Sequence, residues 1–384
     1  MTEPTPPRPD HPPHQPRPTG PHGRRIPPHP KRPPLPAPAE VSMEALLRHV
    51  HEAGSSDLIL SAHAPPHLRI DGELRPVHGP PLEAEQVRSL IYSVLYDEQV
   101  KELEQERELD FSISYHGLRF RGNAFWQRGS LAVAFRPIPA RIPAPRELGL
   151  PDHIETLVDY PQGLVLVTGA TGQGKSTTLA SLLDRVNRLH SRHVITIEDP
   201  IEFVHPNKRC VVEQREVGSD TKSFANALRR VLRQNPDVIL VGELRDRETV
   251  QTALTAAETG HLVLSTLHTN DAVQAIDRLV DVFPDSQHRQ VRSQLSLVLL
   301  AVLSQRLVRG KQGGRVLALE VLINNQAVSN QIREGKLALL YGTMEVGGQE
   351  GMQTMNQALE ALLGANQIDA REVQRYKSQR ESGR

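Results

Sequence analysis

The stretch GLVLVTGATGQGKSTT, residues 163–178, restricts what this chain can become more than any other part of it. Its apolar opening predicts a strand, the glycines predict a turn, and TTLASLLDRVNRL after Ser176 predicts a helix. Inside the turn, Gly169-Ala170-Thr171-Gly172-Gln173-Gly174-Lys175-Ser176 fits G-x-x-x-x-G-K-[ST], in the strand-to-helix context where that pattern holds a polyphosphate. Glycines let backbone N–H groups turn inward toward phosphate oxygens, and the helix amino terminus adds partial positive charge. Lys175 reaches the terminal phosphates, the Ser176 hydroxyl is placed for Mg²⁺, and Thr177 helps with the phosphates. A nucleoside triphosphate with Mg²⁺ is therefore the expected ligand.

Three further apolar runs, HVITIED, DVILVGE and HLVLSTLHT, follow with helical patterns between them. That alternation predicts an α/β domain with a mostly parallel sheet covered on both faces, whose ligand sits at the carboxyl ends of the strands. In NPDVILVGELRD the strand covers about 238–241, which leaves Asp237 at the far end. Glu243 falls at the ligand end, where a carboxylate can orient and activate water. ITIEDPIEF puts Glu198 and Asp199 at another strand end, with Glu202 just beyond. Acids so close to a polyphosphate repel it unless Mg²⁺ or arginine intervenes.

His261 opens the fourth strand and His268 closes it, about 23 Å apart if the chain is extended, so one phosphate cannot engage both. His268, with Thr266 and Thr269 beside it, falls at the catalytic end and can sense the terminal phosphate. A lone histidine in a sheet also serves as a hydrogen-bonded core residue.

The rest divides by composition. Residues 1–40 hold sixteen prolines and cannot bury enough apolar surface to offset the entropy of ordering, which predicts a disordered tail. Val41, Leu46, Leu47 and Val50 share a helical face, a strand is expected around 58–60, and PHLRIDGELRPV reads as a hairpin turning at Asp71-Gly72. A helix over about 83–95 precedes LDFSISYHGLRFRGNAFWQRGSLAVAFRPIP, which alternates as a meander. Residues 41–137 thus form a smaller α/β domain on an antiparallel sheet. Pro137, Pro139, Pro143 and Pro145 mark a stiff linker at 138–149. The larger domain takes 150–375, with helices expected at about 287–307, 327–340 and 352–363, before a flexible end at 376–384.

Lysine plus arginine and aspartate plus glutamate both total 45, so the formal net charge is zero. A whole-chain basic bias toward nucleic acid is missing, which argues against a DNA motor. The single Cys210 excludes a disulfide framework within the chain and a four-cysteine zinc module. No apolar run reaches the roughly 18–20 residues that span a bilayer and no signal peptide is read, so the expected compartment is the cytosol.

These blocks also carry a resemblance. GATGQGKSTT, TIEDPIEF, LRRVLRQNPDVILVGELRD and TALTAAETGHLVLSTLHTNDAVQAIDRLVDVFP resemble the secretion ATPase superfamily and, within it, the PilT family of type IV pilus retraction ATPases that power twitching motility. The likeness runs from about residue 41 to about residue 375. It implies a RecA-like P-loop ATPase domain joined to a PAS-like amino-terminal domain. It further implies a cytoplasmic homohexamer at the inner face of the inner membrane, partnered by a platform protein of the pilus machine and not by nucleic acid. A paralogous retraction ATPase is a further candidate partner.

Residue by residue, the resemblance implies that ATP and Mg²⁺ are held by Lys175 and Ser176 within the loop from Gly169 to Thr177. It makes Glu202 the acid-box glutamate, Glu243 the Walker B glutamate, and His261 and His268 the histidine-box pair. It turns Arg119, Arg121 and Arg136 toward nucleotide and gives Arg278 another basic position of the family, although each alone reads as a surface charge. Two departures stand out. AVSNQIRE at 327–334 carries Ser329 and Gln331 where the family's AIRNLIRE has arginine and leucine, and Ala170 and Gln173 replace a common proline and serine. A cradle of backbone groups is expected to tolerate the latter pair.

The expected function is Mg²⁺-dependent ATP hydrolysis by a hexameric motor that retracts type IV pili, with small-domain arginines closing over the charge. Alternatives are an extension or type II secretion ATPase, which usually carries the missing cysteine module, and a nucleotide-binding scaffold with weak hydrolysis. A nucleic-acid translocase built from RecA-like subunits is the remaining one.

Overall fold

The computed structural model describes residue 35 and residues 41–382, except 71, 116 and 140. The tail expected over 1–40 lies outside the described residues apart from Leu35, and so does Asp71 of the expected hairpin turn.

In the smaller domain, α1 (Met43–Glu52) starts at Ser42, whose hydroxyl accepts the Ala45 N–H, and it buries Met43, Leu46, Leu47 and Val50. Strands β1 (Asp57–Ser61), β2 (His67–Ile70) and β3 (Glu73–Pro76) follow, then α2 (Ala84–Tyr92). The next helix, α3 (Asp97–Glu106), was not expected: its charged series buries only Leu103 and shows little apolar period. The meander is β4 (Glu108–Tyr115), β5 (Leu118–Gln127) and β6 (Ser130–Ile138). All six strands form one antiparallel sheet in the order β3-β2-β1-β6-β5-β4. Phe111 and Phe135 meet edge to face at 5.6 Å in its core.

After the linker, α4 (Asp152–Glu155) opens the larger domain. Its sheet contains β7 (Gly163–Thr168), β8 (His193–Glu198), β9 (Val211–Glu216), β10 (Val238–Val241), β11 (Leu262–Leu267), β12 (Leu299–Arg309) and β13 (Arg315–Ile323). The order is β13-β12-β7-β11-β10-β8-β9, parallel throughout except for the β12–β13 pair. Helices α5 (Lys175–Leu189), α6 (Phe224–Val231), α7 (Arg247–Glu258), α8 (Ala272–Asp281) and α9 (Asp285–Val298) follow in chain order. Beyond the sheet come α10 (Gln326–Glu334), α11 (Leu340–Val346), α12 (Met355–Gly364) and α13 (Ala370–Ser382).

The four expected strands are β7, β8, β10 and β11. Along β7, Leu164 and Leu166 enter one core with α6 to α9, while Val165 and Val167 enter the other with α5. Two buried faces explain why these strands read as continuous apolar runs rather than alternating ones.

The helix expected over 287–307 is instead α9 followed directly by β12. The run LVLLAVLSQRLV is apolar at most positions, which helix and strand periods fit equally, and its pairing with β7 and β13 decides the backbone. The helix expected over 327–340 stops at Glu334, where Gly335 takes a left-handed φ of 73°. The helix expected from 352 starts at Met355, capped by the Thr354 hydroxyl. Helical backbone in α13 reaches Ser382, within the end expected to be flexible from 376, and residues 383–384 lie outside the described residues.

Candidate active site

At the carboxyl ends of β7, β8, β10 and β11, facing the small domain, lies a cleft of about 830 Å³. Its floor is the glycine-rich loop. The chain leaves β7 at Gly169 with φ 143°, and a Cβ there would lie 2.5 Å from the Gln305 carbonyl oxygen, so the loop passes only without a side chain. Thr171, Gly172, Gly174, Ser176 and Thr177 line the space above. Lys175 is buried and its Nζ donates to the Gly169 carbonyl at 2.8 Å and the Ala170 carbonyl at 3.2 Å. Burial pulls this ammonium below its ordinary pKa, opposed by the carboxylates of Glu243 and Glu202.

Glu243 stands just past β10, as the strand-end reading expects. Its Oε2 accepts from Arg245 Nε at 2.7 Å and lies 3.5 Å from His268 Nε2. The other ring nitrogen of His268, Nδ1, lies 3.5 Å from Lys175 Nζ and 3.4 Å from Thr171 Oγ1. A lysine ammonium only donates, so Nδ1 accepts there, while Nε2 lies on the side of Glu243. His268 thus links the loop lysine to the strand-end carboxylate. His261 sits at the opposite end of β11, its Nδ1 3.0 Å from the Ala256 carbonyl, and it does not line the cleft.

Glu198 ends β8, and Asp199 and Glu202 follow it. Glu198 accepts from Thr196 Oγ1 at 2.7 Å, Gln214 Nε2 at 3.2 Å and the Glu202 N–H at 3.4 Å. Desolvation nonetheless pushes its carboxyl above the usual range. Glu198, Asp199 and Glu202 all line the cleft, and Glu202 faces Arg121 Nη1 of the small domain across 3.8 Å.

The other basic positions are not at the loop. Arg119 donates Nη2 to Glu216 Oε2 at 2.7 Å and does not line the cleft. Arg136 lines it, but donates Nε and Nη2 to Asp57 Oδ1 at 2.9 and 2.8 Å. Arg278 is exposed on α8, away from the cleft.

Glu216 is buried and also accepts the Ile201 N–H at 3.0 Å, so Arg119 neutralises a carboxylate that water barely reaches. Arg119→Ala leaves that charge with a single N–H donor. The variant is expected to lose about 3 kcal/mol of stability, read as an earlier chemical-denaturation midpoint.

His205 also lines the cleft, is buried, and is pulled down to about 4 by desolvation. Because the unfolded ring titrates near 6.5, the unfolded state binds the extra proton between about pH 6.5 and 4. Stability is therefore fully present above 6.5 and falls as pH drops toward 4, by about 3 kcal/mol at most. His205→Gln should flatten that slope in denaturation curves taken between pH 7 and pH 4.

The family model for type II/IV secretion system proteins matches residues 36–375. The chain belongs to this family. It is 50% identical over 334 residues to the type IV pilus retraction ATPase PilT of Pseudomonas aeruginosa, covering 87% of this chain and 97% of the relative. Identity to the type IV pilus ATPase PilU of the same organism is 43%, covering 85% and 86%. The crystal structure of the pilus retraction motor PilT with bound ADP superposes with a TM-score of 0.83 at 50% identity, covering 87% of this chain and 96% of that one. The expected assignment to the PilT branch of the secretion ATPases, with a RecA-like P-loop domain and a smaller α/β domain, therefore stands.

Sequence reading missed the wall formed by Gln305, Leu307, Arg315 and Leu317 of β12 and β13, since no motif marks them. It also missed Arg245, for which the signal was present two residues after Glu243. The departures in AVSNQIRE both find partners. Ser329 Oγ donates to the Ser296 carbonyl at 2.9 Å, and Gln331 Nε2 donates to Thr343 Oγ1 at 2.9 Å.

Proposed function

We propose that this chain hydrolyses ATP with Mg²⁺ as a subunit of a ring motor that retracts type IV pili. The observation that carries the reading is the Lys175–His268–Glu243 series, each contact 3.5 Å, which joins a phosphate-loop lysine to a strand-end carboxylate.

The cradle suits a polyphosphate: Gly169 has no room for a Cβ, and Lys175 presents a buried ammonium beside loop carbonyls. Ser176, with Glu243 and Glu202 nearby, is the group that would hold Mg²⁺, which when bound neutralises charge on phosphate oxygens. Lys175 exchanges its loop carbonyls for phosphate oxygens, a stronger charge-assisted partner. Glu243 orients the attacking water and accepts its proton, held in place by Arg245 with the His268 ring 3.5 Å away. Glu202 supports the same region. Arg121 already stands on the opposite wall, so closing the domains can carry its guanidinium from Glu202 to the phosphates. Arg119 and Arg136 can join it only after leaving Glu216 and Asp57.

The 50% identity to PilT supports a homohexamer working in the cytoplasm against an inner-membrane platform protein, with a paralogue as a further partner. Arg278, exposed on α8, is then available to a neighbouring subunit. Among the described residues no helix is long and apolar enough to cross a membrane, so contact with one would be made from the side. Zero net charge argues against the nucleic-acid translocase.

Deleting the gene in its host tests the reading. The expected cells keep surface pili and lose twitching; loss of the pili themselves would favour the extension reading, and unchanged twitching would overturn the proposal.

A further inference from the structure

We propose that Gln173 is a positioning residue whose side chain docks the phosphate loop on β12 and holds it in its binding shape. The inference rests on nucleotide binding at this loop, and not on hydrolysis or pilus retraction. Strand β12 pairs with β7 only as far as Ser304 against Thr168. Beyond that pair the chain of β7 turns off as the loop, and the edge of β12 from Gln305 onward loses its backbone neighbour.

Gln173 supplies what a longer β7 would have supplied. Its Oε1 accepts the Leu307 N–H at 2.6 Å, and its carbonyl accepts from Gln305 Nε2 at 2.6 Å. Two more contacts tie the loop to the same hairpin: the Gln305 carbonyl walls Gly169, and Arg315 Nη1 donates to the Gly172 carbonyl at 3.4 Å. The loop is thereby fixed at its start, its middle and just before its helix. Residue 173 is a free position in the phosphate-loop pattern, so phosphate contact does not explain a glutamine there. Serine at this position would be too short to meet the Leu307 N–H.

A loop already held in shape loses less freedom when nucleotide binds. Loss of the clasp should weaken ground-state and transition-state binding alike, which raises KM and leaves kcat unchanged.

The test uses the full chain. Gln173→Met keeps length and volume but has no amide acceptor. Its Kd for a fluorescent ATP analogue and its KM should each rise about fivefold to tenfold, with kcat within about twofold and the melting midpoint within a few degrees. Gln305→Leu should act in the same direction, and the double variant should fall short of the product of the two, because both groups serve one clasp. Unchanged Kd and KM in both variants would overturn the inference. A fall in kcat or in folded fraction at constant KM would also overturn it, since it reports only structural damage. Kd is read without turnover, so a chain that binds ATP and does not hydrolyse it still decides the matter. A wild-type chain that binds no nucleotide would remove the site reading and this inference together.

Discussion

Replacing Glu243 by glutamine should lower kcat by about a hundredfold or more while nucleotide affinity changes only a few-fold. A positioned general base contributes about 10² to 10⁴ in rate, and glutamine keeps the shape while losing the basicity. The partners of Glu243 sharpen the expectation. Arg245 Nε at 2.7 Å can turn to the amide oxygen of glutamine, and His268 at 3.5 Å keeps its link to Lys175, so the loop stays assembled. Binding of a fluorescent ATP analogue, measured beside steady-state turnover, separates the two effects. Full turnover in the variant would remove Glu243 from the reaction; equal loss of binding and turnover would make it a structural group.

Lys175→Met should weaken nucleotide binding by about a hundredfold. Each charge-assisted hydrogen bond from an ammonium to a phosphate contributes roughly 1.5–3 kcal/mol, and methionine fills the same channel without the charge. Here the lysine is desolvated before any phosphate arrives, and its present partners are carbonyls of Gly169 and Ala170. Removing a buried charge should leave the folded state at least as stable, so a normal melting midpoint with lost binding is the expected signature. Titration with the analogue reads the first and thermal unfolding the second. Retained affinity would mean that the cleft holds its ligand elsewhere.

The centre of the large domain was legible because its strands are bounded by chemistry that sequence displays. GATGQGKST announces a turn, VGE and LHT end apolar runs on polar residues, and β7, β8, β10 and β11 lie where those signals put them. The β12–β13 wall was not legible, because a continuous apolar run has no period and only its neighbours settle its backbone. The site divides in the same way. Lys175, Glu243 and His268 come from three separate stretches and converge because parallel strands put all their carboxyl ends on one side. Arg119 and Arg136 could not be placed from sequence, since an arginine goes to whichever carboxylate the tertiary fold brings near, here Glu216 and Asp57. Gln173 looks like a passive substitution in the sequence because nothing there shows that β12 runs beside it.

The most direct measurement is steady-state ATPase activity of the purified chain across a concentration series, with particle mass determined in parallel and Glu243→Gln as control. The account predicts turnover that rises with a hexamer-sized species, requires Mg²⁺, ignores added DNA and disappears in the control. Nucleotide binding with turnover no faster than the control at any concentration would contradict it and leave a scaffold.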